Sequence, residues 1–150
     1  MVPKAQKSWS VSHTPMSSDM AAHKILVVNS LVDYLRPRFD PNRDTIQMLD
    51  EAEGGYHALF ILRAVQPTRY ISDVEFLHNF QTPYARRLMA DFLAGLRQKR
   101  PKYIVVFNYE GFGAFGPDRL QREFPEVARL IAESYTLEHS AGIYFVYGRK

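Results

Sequence analysis

Tyr103-Ile-Val-Val-Phe107 is an unbroken apolar run, β-branched at its centre, with no alternation of polar and apolar positions. A strand of that kind is buried on both faces and belongs in the middle of a sheet. The sequence on either side is helical. Upstream, Thr82 is a good N-cap and Pro83 suits the first helical position. Leu88, Met89, Phe92, Leu93 and Leu96 then recur at helical spacing to about Lys99, and Arg97, Lys99 and Arg100 complement the negative helix end before Pro101 stops it. Downstream, Asn108–Gly116 is a loop rich in glycine and aromatics. Pro117 opens a fourth helix with Leu120, Phe124, Val127, Leu130 and Ile131 inward. Pro125 conflicts with that pattern and implies a kink, or a helix that starts near Phe124. The chain closes with Tyr135–His139, a turn at Ser140-Ala-Gly142 and Ile143–Tyr147, an antiparallel hairpin with Tyr135, Leu137, Ile143, Phe145 and Tyr147 in alternation.

The N-terminal half repeats the theme. Asp19 can cap a helix running to about Leu35, with Ile25, Val28, Leu31, Val32 and Leu35 as its apolar stripe. Pro37 and Pro41 end it, and Asp40-Pro-Asn-Arg-Asp44 is turn chemistry. Ile46–Leu49 is a short strand, Glu51–Gly55 a glycine-bearing turn, and Tyr56–Val65 a second helix. Arg69–Ser72 follows as another strand, and Asp73–Gln81 is irregular but partly apolar. Helices alternating with strands and ending in a hairpin predict an α/β fold. The expectation is a three-layer α/β/α sandwich whose sheet is mostly parallel, with a C-terminal antiparallel hairpin at its edge. Residues 1–19 are polar and read as a flexible tail or linker; residues 20–150 form a single α/β domain.

Composition narrows the function. Of 150 residues, 46% are hydrophobic, which suffices for a full core. Lys+Arg 19 against Asp+Glu 16 leaves +3, too mild for a nucleic-acid binder. Cysteine is absent, which removes disulfides, thiolate catalysis and Cys-ligated zinc. No stretch approaches the roughly 20 apolar residues of a membrane span, and the N-terminus lacks the apolar core of a signal peptide. A membrane-linked role therefore requires the chain to be a fragment.

Candidate chemistry is sparse. Gly111-Phe-Gly-Ala-Phe-Gly116 follows the central strand with G-x-G-x-x-G spacing, but Phe112 and Phe115 would crowd a phosphate and Asp118 would repel it. Those aromatics instead suit a contact with a partner, beside Tyr109 and Glu110 at the same strand end. His13, His23, His57, His78 and His139 have no metal-ligand spacing, and Asp50-Glu51-Ala-Glu53 reads as a solvated tip. No serine sits in a nucleophile elbow. No catalytic residue, metal or cofactor is assigned.

The stretch Tyr56…Arg63-x-x-x-Pro67-Thr-Arg-Tyr70 carries a resemblance. So do Val32-Asp-Tyr-Leu-Arg36, Asp40-Pro-Asn-Arg-Asp44, Arg87-Leu-Met-Ala-Asp-Phe-Leu93, Pro101-Lys-Tyr-Ile-Val-Val106, Phe124-Pro-Glu126 and Gly142-Ile-Tyr-Phe-Val-Tyr147, in that shared order. From Leu31 to Arg149 the chain resembles the soluble C-terminal domain of GT-C membrane glycosyltransferases, the family of dolichyl-phosphate-mannose-protein mannosyltransferases and lipid A aminoarabinose transferases. The resemblance implies an extracytoplasmic accessory domain, itself non-catalytic. Its partner would be the membrane-embedded domain of the same parent polypeptide, which transfers a sugar from a polyprenyl-phosphate donor to an acceptor. Lipid headgroups or the lipid-linked sugar are further partners. Tyr56, Arg63, Arg69, Tyr70, Tyr109, Glu110, Phe112 and Phe115 are the candidate ligand or partner contacts. The alternative is an independent small-ligand-binding α/β domain or enzyme using the 108–116 loop.

Overall fold

A computed structural model describes residues 18–49, 54–70, 81–108 and 117–150. Strand β2 (Tyr103–Phe107) is buried along its whole length, as its continuous apolar run requires. On one side it pairs in parallel with β1 (Ile46–Leu49), and on the other antiparallel with β4 (Tyr144–Arg149). The edge beyond β4 is β3 (Tyr135–Ser140), antiparallel to it, so the order is β1-β2-β4-β3.

The fold is α/β, as expected, but the sheet is mixed rather than mostly parallel: β1–β2 is its single parallel pairing among the described strands. The hairpin is the reason. Its second strand inserts beside β2, which an antiparallel neighbour can do without a crossover helix. The strand expected at Arg69–Ser72 is also not found where it can be seen. Arg69 and Tyr70 are outside any strand, and Ile71 and Ser72 lie outside the described residues.

Alternate residues of β2 enter two core clusters, because successive side chains of a strand point to opposite faces. Tyr103, Val105 and Phe107 pack with Val28, Leu31 and Leu35 of α1 (Ser18–Leu35) and with Ala58, Leu59 and Leu62 of α2 (Gly55–Leu62). Ile104 and Val106 pack with Phe92 and Leu96 of α3 (Pro83–Lys99). Leu120 of α4 (Pro117–Glu123) and Val127 and Ile131 of α5 (Pro125–Ser134) complete that cluster. Each large side chain so buried contributes about 1.5–3 kcal/mol of transfer free energy.

Local chemistry sets the helix ends. Thr82 caps α3 by accepting from the Ala85 N–H at 3.2 Å, with Pro83 at the first position. The expected single fourth helix is two, because Pro125 cannot continue a helix and Phe124 leaves helical geometry at φ −139°. Helix α2 ends at Leu62, short of the expected Val65. Arg63 turns left-handed at φ 54°, its N–H reaching the Phe60 carbonyl at 3.1 Å while Ala64 N–H reaches that of Leu59 at 2.9 Å. This paired stop satisfies the last carbonyls. It releases Val65 to bridge Thr45 in parallel and to accept from the Ile46 N–H.

Two side-chain phases differ from expectation. Ile25 is 60% exposed, and Val27 takes a buried place instead. In β4 the fully buried phase is Tyr144 and Val146, while Phe145 and Tyr147, and Ile143 just before the strand, are half-buried. Leu137, opposite Tyr147 on the edge strand, is exposed, and a register shift follows between Leu137 and His139. Such a bulge re-aims the side chains that follow it. The expected tail at 1–19 lies outside the described residues up to position 17, and α1 already starts at Ser18.

Candidate functional site

Past the Arg63 stop the chain runs as Gln66-Pro-Thr-Arg-Tyr70 beside β1, the edge of the sheet. A side chain takes over from backbone pairing there. Gln66 Oε1 accepts from Met48 N–H at 2.8 Å and from Gln47 Nε2 at 2.9 Å. Gln47 is fully buried, and burying an amide without partners is costly. It is satisfied: Nε2 also donates to the Met48 carbonyl at 3.0 Å, and Oε1 accepts from Thr68 Oγ1 at 2.8 Å. These bonds fix the segment against the sheet.

Its other side meets α3. Tyr84, Leu88, Asp91 and Gly95 follow one another at three- and four-residue steps and so share one helix face, beside the stripe that enters the core. Gly95 permits the approach, since a Cβ there would stand 3.2 Å from the Thr68 methyl. Tyr70 is buried, its ring edge-on to Phe92 at 5.7 Å between centroids, and its phenol donates to Asp91 Oδ2 at 2.7 Å. Arg69 Nη2 sits 3.0 Å from the same carboxylate oxygen and 3.3 Å from the Tyr70 phenol. Burial pushes the Tyr70 phenol above its ordinary range, and the Asp91 carboxylate adds to that. The phenol therefore remains a donor at neutral pH. Arg69, Tyr70, Tyr84 and Leu88 line an open cavity of about 530 Å³.

Of the residues singled out in the sequence, the structure brings Arg69 and Tyr70 together here. Tyr56 packs against the other core cluster, on the α1–α2 side, and Arg63 is exposed at the α2 stop. Tyr109, Glu110, Phe112 and Phe115, and with them the 109–116 part of the glycine-aromatic loop, lie outside the described residues, as do Asp50, Glu51 and Glu53. Tyr84, Leu88 and Asp91 were missed. Their shared helical spacing was the available signal, overshadowed by the stronger core stripe on the same helix.

A second polar group spans α1 and the hairpin. Ser30 Oγ and Tyr144 OH are 2.7 Å apart, and His139 Nε2 is 3.4 Å from the same phenol. The His139 ring stacks on Tyr34 at 4.2 Å, and the Tyr34 phenol donates to Glu138 Oε2 at 3.2 Å. Glu138 reaches across β4 over Gly148, where any Cβ would overlap its carboxylate. The group ties the hairpin to α1. Among the described residues, no cluster of His, Asp and Glu is arranged to hold a metal ion. No helix of these residues is long and apolar enough to cross a membrane. No protein-family model, curated protein or solved structure matches the chain.

Proposed function

We propose that this chain is the accessory domain of a membrane-bound glycosyltransferase, held at the extracytoplasmic face. The membrane-embedded part of the same parent polypeptide transfers a sugar from a polyprenyl-phosphate donor to an acceptor. The domain docks on that part and shapes access of the acceptor. The observation that carries this reading is α2, whose outer side carries large apolar side chains beside the exposed His57. Phe60 is 84% exposed; Ile61, and Val65 just past the helix, are exposed too, as are Ile25 and Leu26 on the adjacent α1. Large outward aliphatic and aromatic side chains fit the apolar helices of an embedded partner.

The ordered motifs from Leu31 to Arg149 supply the identity of that partner. A three-layer α/β/α arrangement belongs to the same reading, supported by the division of β2 side chains between two core clusters. In this reading the chemistry resides in the embedded part, and the isolated chain transfers no sugar.

The test has two arms. A series of apolar spans, each of about 20 residues, is expected in the same reading frame, and a frame without them contradicts the proposal. In the full polypeptide, Phe60→Asp is expected to lower sugar transfer about tenfold or more, the scale of losing one well-packed contact. Unchanged transfer, or measurable turnover by the isolated chain, contradicts it.

A further inference from the structure

We propose that the end of the sheet where β1 and β2 begin and β4 finishes is a docking surface for an acidic, extended polypeptide segment. This goes beyond the docking of α2 and does not depend on it. Hydrogen bonds draw that end together. Lys102 N–H donates to the Thr45 carbonyl at 2.9 Å, and Lys102 Nζ donates to the Arg38 carbonyl and to Asp44 Oδ2, each at 2.7 Å. Arg149 N–H donates to the Lys102 carbonyl at 2.9 Å, and its guanidinium to the Arg100 carbonyl at 2.7 Å. The turn after α1 and the last turn of α3 therefore meet the strand ends, with α1 on one face of β2 and α3 on the other. Arg36, Arg38, Arg43, Lys99, Arg100 and Arg149 are exposed there.

Charge selects the partner. Lys102 pairs with Asp44, and Lys150, on the Ala132 and Glu133 carbonyls, offsets the Glu133 carboxylate. The carboxylates left beside the exposed cations are Asp40, which accepts from Asn42 N–H, and Glu138, which accepts from the Tyr34 phenol. This end therefore holds an excess above the +3 of the whole chain. Helix ends account for part of it: Arg38 donates to the Tyr34 carbonyl at 2.7 Å, and Lys99 lies in the last turn of α3. Arg36 and Arg43 make no side-chain hydrogen bond or salt bridge among the described residues. Like charges gathered at one end repel one another and lower stability, so their placement answers to something outside the chain.

Arginine predominates here, and it is enriched in protein interfaces, where its planar fork takes a carboxylate through two parallel bonds. A single nucleic-acid strand needs exposed aromatic rings for its bases. The rings at this end are engaged: Tyr34 packs on the Arg38 guanidinium at 4.3 Å and on the His139 ring at 4.2 Å, and Tyr103 and Tyr135 are buried. A membrane surface favours large apolar side chains beside the cations. Pro37, Pro41 and Asn42 stand there instead, and Phe39 is buried. An extended segment rich in Asp or Glu meets the separate cations in turn as it crosses from α1 to α3. Two packed layers make that path about 20 Å, or about six residues.

The experiment is a titration of the isotope-labelled chain followed by backbone amide shifts, in about 50 mM salt so that surface charges are weakly screened. The probes are a hexaglutamate peptide, its neutral hexaglutamine counterpart, a short thymidine strand and phosphatidylglycerol vesicles. Hexaglutamate is expected to move amides confined to residues 36–45, 97–102 and 148–150, with a dissociation constant on the order of 100 μM. Raising salt to about 300 mM is expected to weaken it about tenfold. Arg36→Glu with Arg43→Glu, both exposed positions, is expected to weaken binding about tenfold or more. Arg86→Glu with Arg87→Glu makes the same change in net charge at the far end of α3 and is expected to weaken it less than about twofold. Phe60→Ser is expected to leave binding unchanged, which separates this surface from the outward side of α2. The proposal is overturned if hexaglutamate moves none of those amides at about 5 mM, well above that range. It is equally overturned if the thymidine strand or the vesicles bind there more tightly than the peptide, or if the Arg36 and Arg43 reversals weaken binding no more than those at Arg86 and Arg87.

Discussion

At the scale of single residues, the structure turns on side chains that stand in for backbone. Gln66 is the clearest. Its amide oxygen completes the edge of β1 and its loss would leave Met48 N–H and the buried Gln47 short of partners. An unsatisfied buried donor costs about 1–3 kcal/mol, so Gln66→Ala is expected to lower stability by about 2 kcal/mol in urea unfolding. Arg63 shows the reverse case. A non-glycine residue at φ 54° carries steric strain of about 1–2 kcal/mol, partly balanced by the entropy glycine would add to the unfolded chain. Arg63→Gly is therefore expected to stabilise by up to about 1 kcal/mol, and Arg63→Ile to destabilise, in the same assay. None of this was legible in the sequence. Tyr70-Ile71 looks like the start of a strand because aromatic and β-branched residues favour one, and nothing local says that a glutamine side chain will do the pairing.

At the scale of elements, legibility followed how locally each one is determined. The span of α3 was readable because Thr82, Pro83 and the core stripe all act within a few residues. Thr82→Ala is expected to cost about 1 kcal/mol, seen as a lower urea midpoint with an unchanged slope. Pro125 signalled a kink or a late start near Phe124, but not that the fourth helix would be two. The hairpin was readable as a hairpin, but its place was not. Strand order depends on which partner covers β2, and that is decided by packing across the whole sheet. The same holds for the cleft: Arg69 and Tyr70 stood out as neighbours in the sequence, whereas Asp91 joins them only because Gly95 lets α3 approach Thr68.

At the scale of the whole molecule, ionisable groups narrow the stable pH range from both ends. Burial works to raise the Asp44 carboxyl, but the Lys102 hydrogen bond at 2.7 Å, the Asp40 N–H and the nearby cations outweigh it and hold it below the usual carboxylate range. The stability it contributes is present above the unfolded value near 3.9 and is lost as pH falls through the depressed folded value. Asp44→Asn is expected to flatten that acid limb in unfolding measured across pH. Tyr34, Tyr70, Tyr103, Tyr135, Tyr144 and Tyr147 are all shifted upward, chiefly by burial. Above about pH 10 the unfolded chain releases phenolic protons that the folded chain retains, so stability falls as pH rises.

The proposed docking function is tested at the outward apolar side of α2, where Phe60 and Ile61 are exposed. The direct measurement places a photoreactive phenylalanine analogue at position 60 in the membrane-bound parent polypeptide that the account proposes, and identifies by mass spectrometry what it captures on illumination. The account predicts a cross-link to a membrane-embedded segment of the same polypeptide. An illuminated sample in which position 60 has reacted only with water, while a matched probe at an interior position of α2 cross-links within the domain, contradicts it.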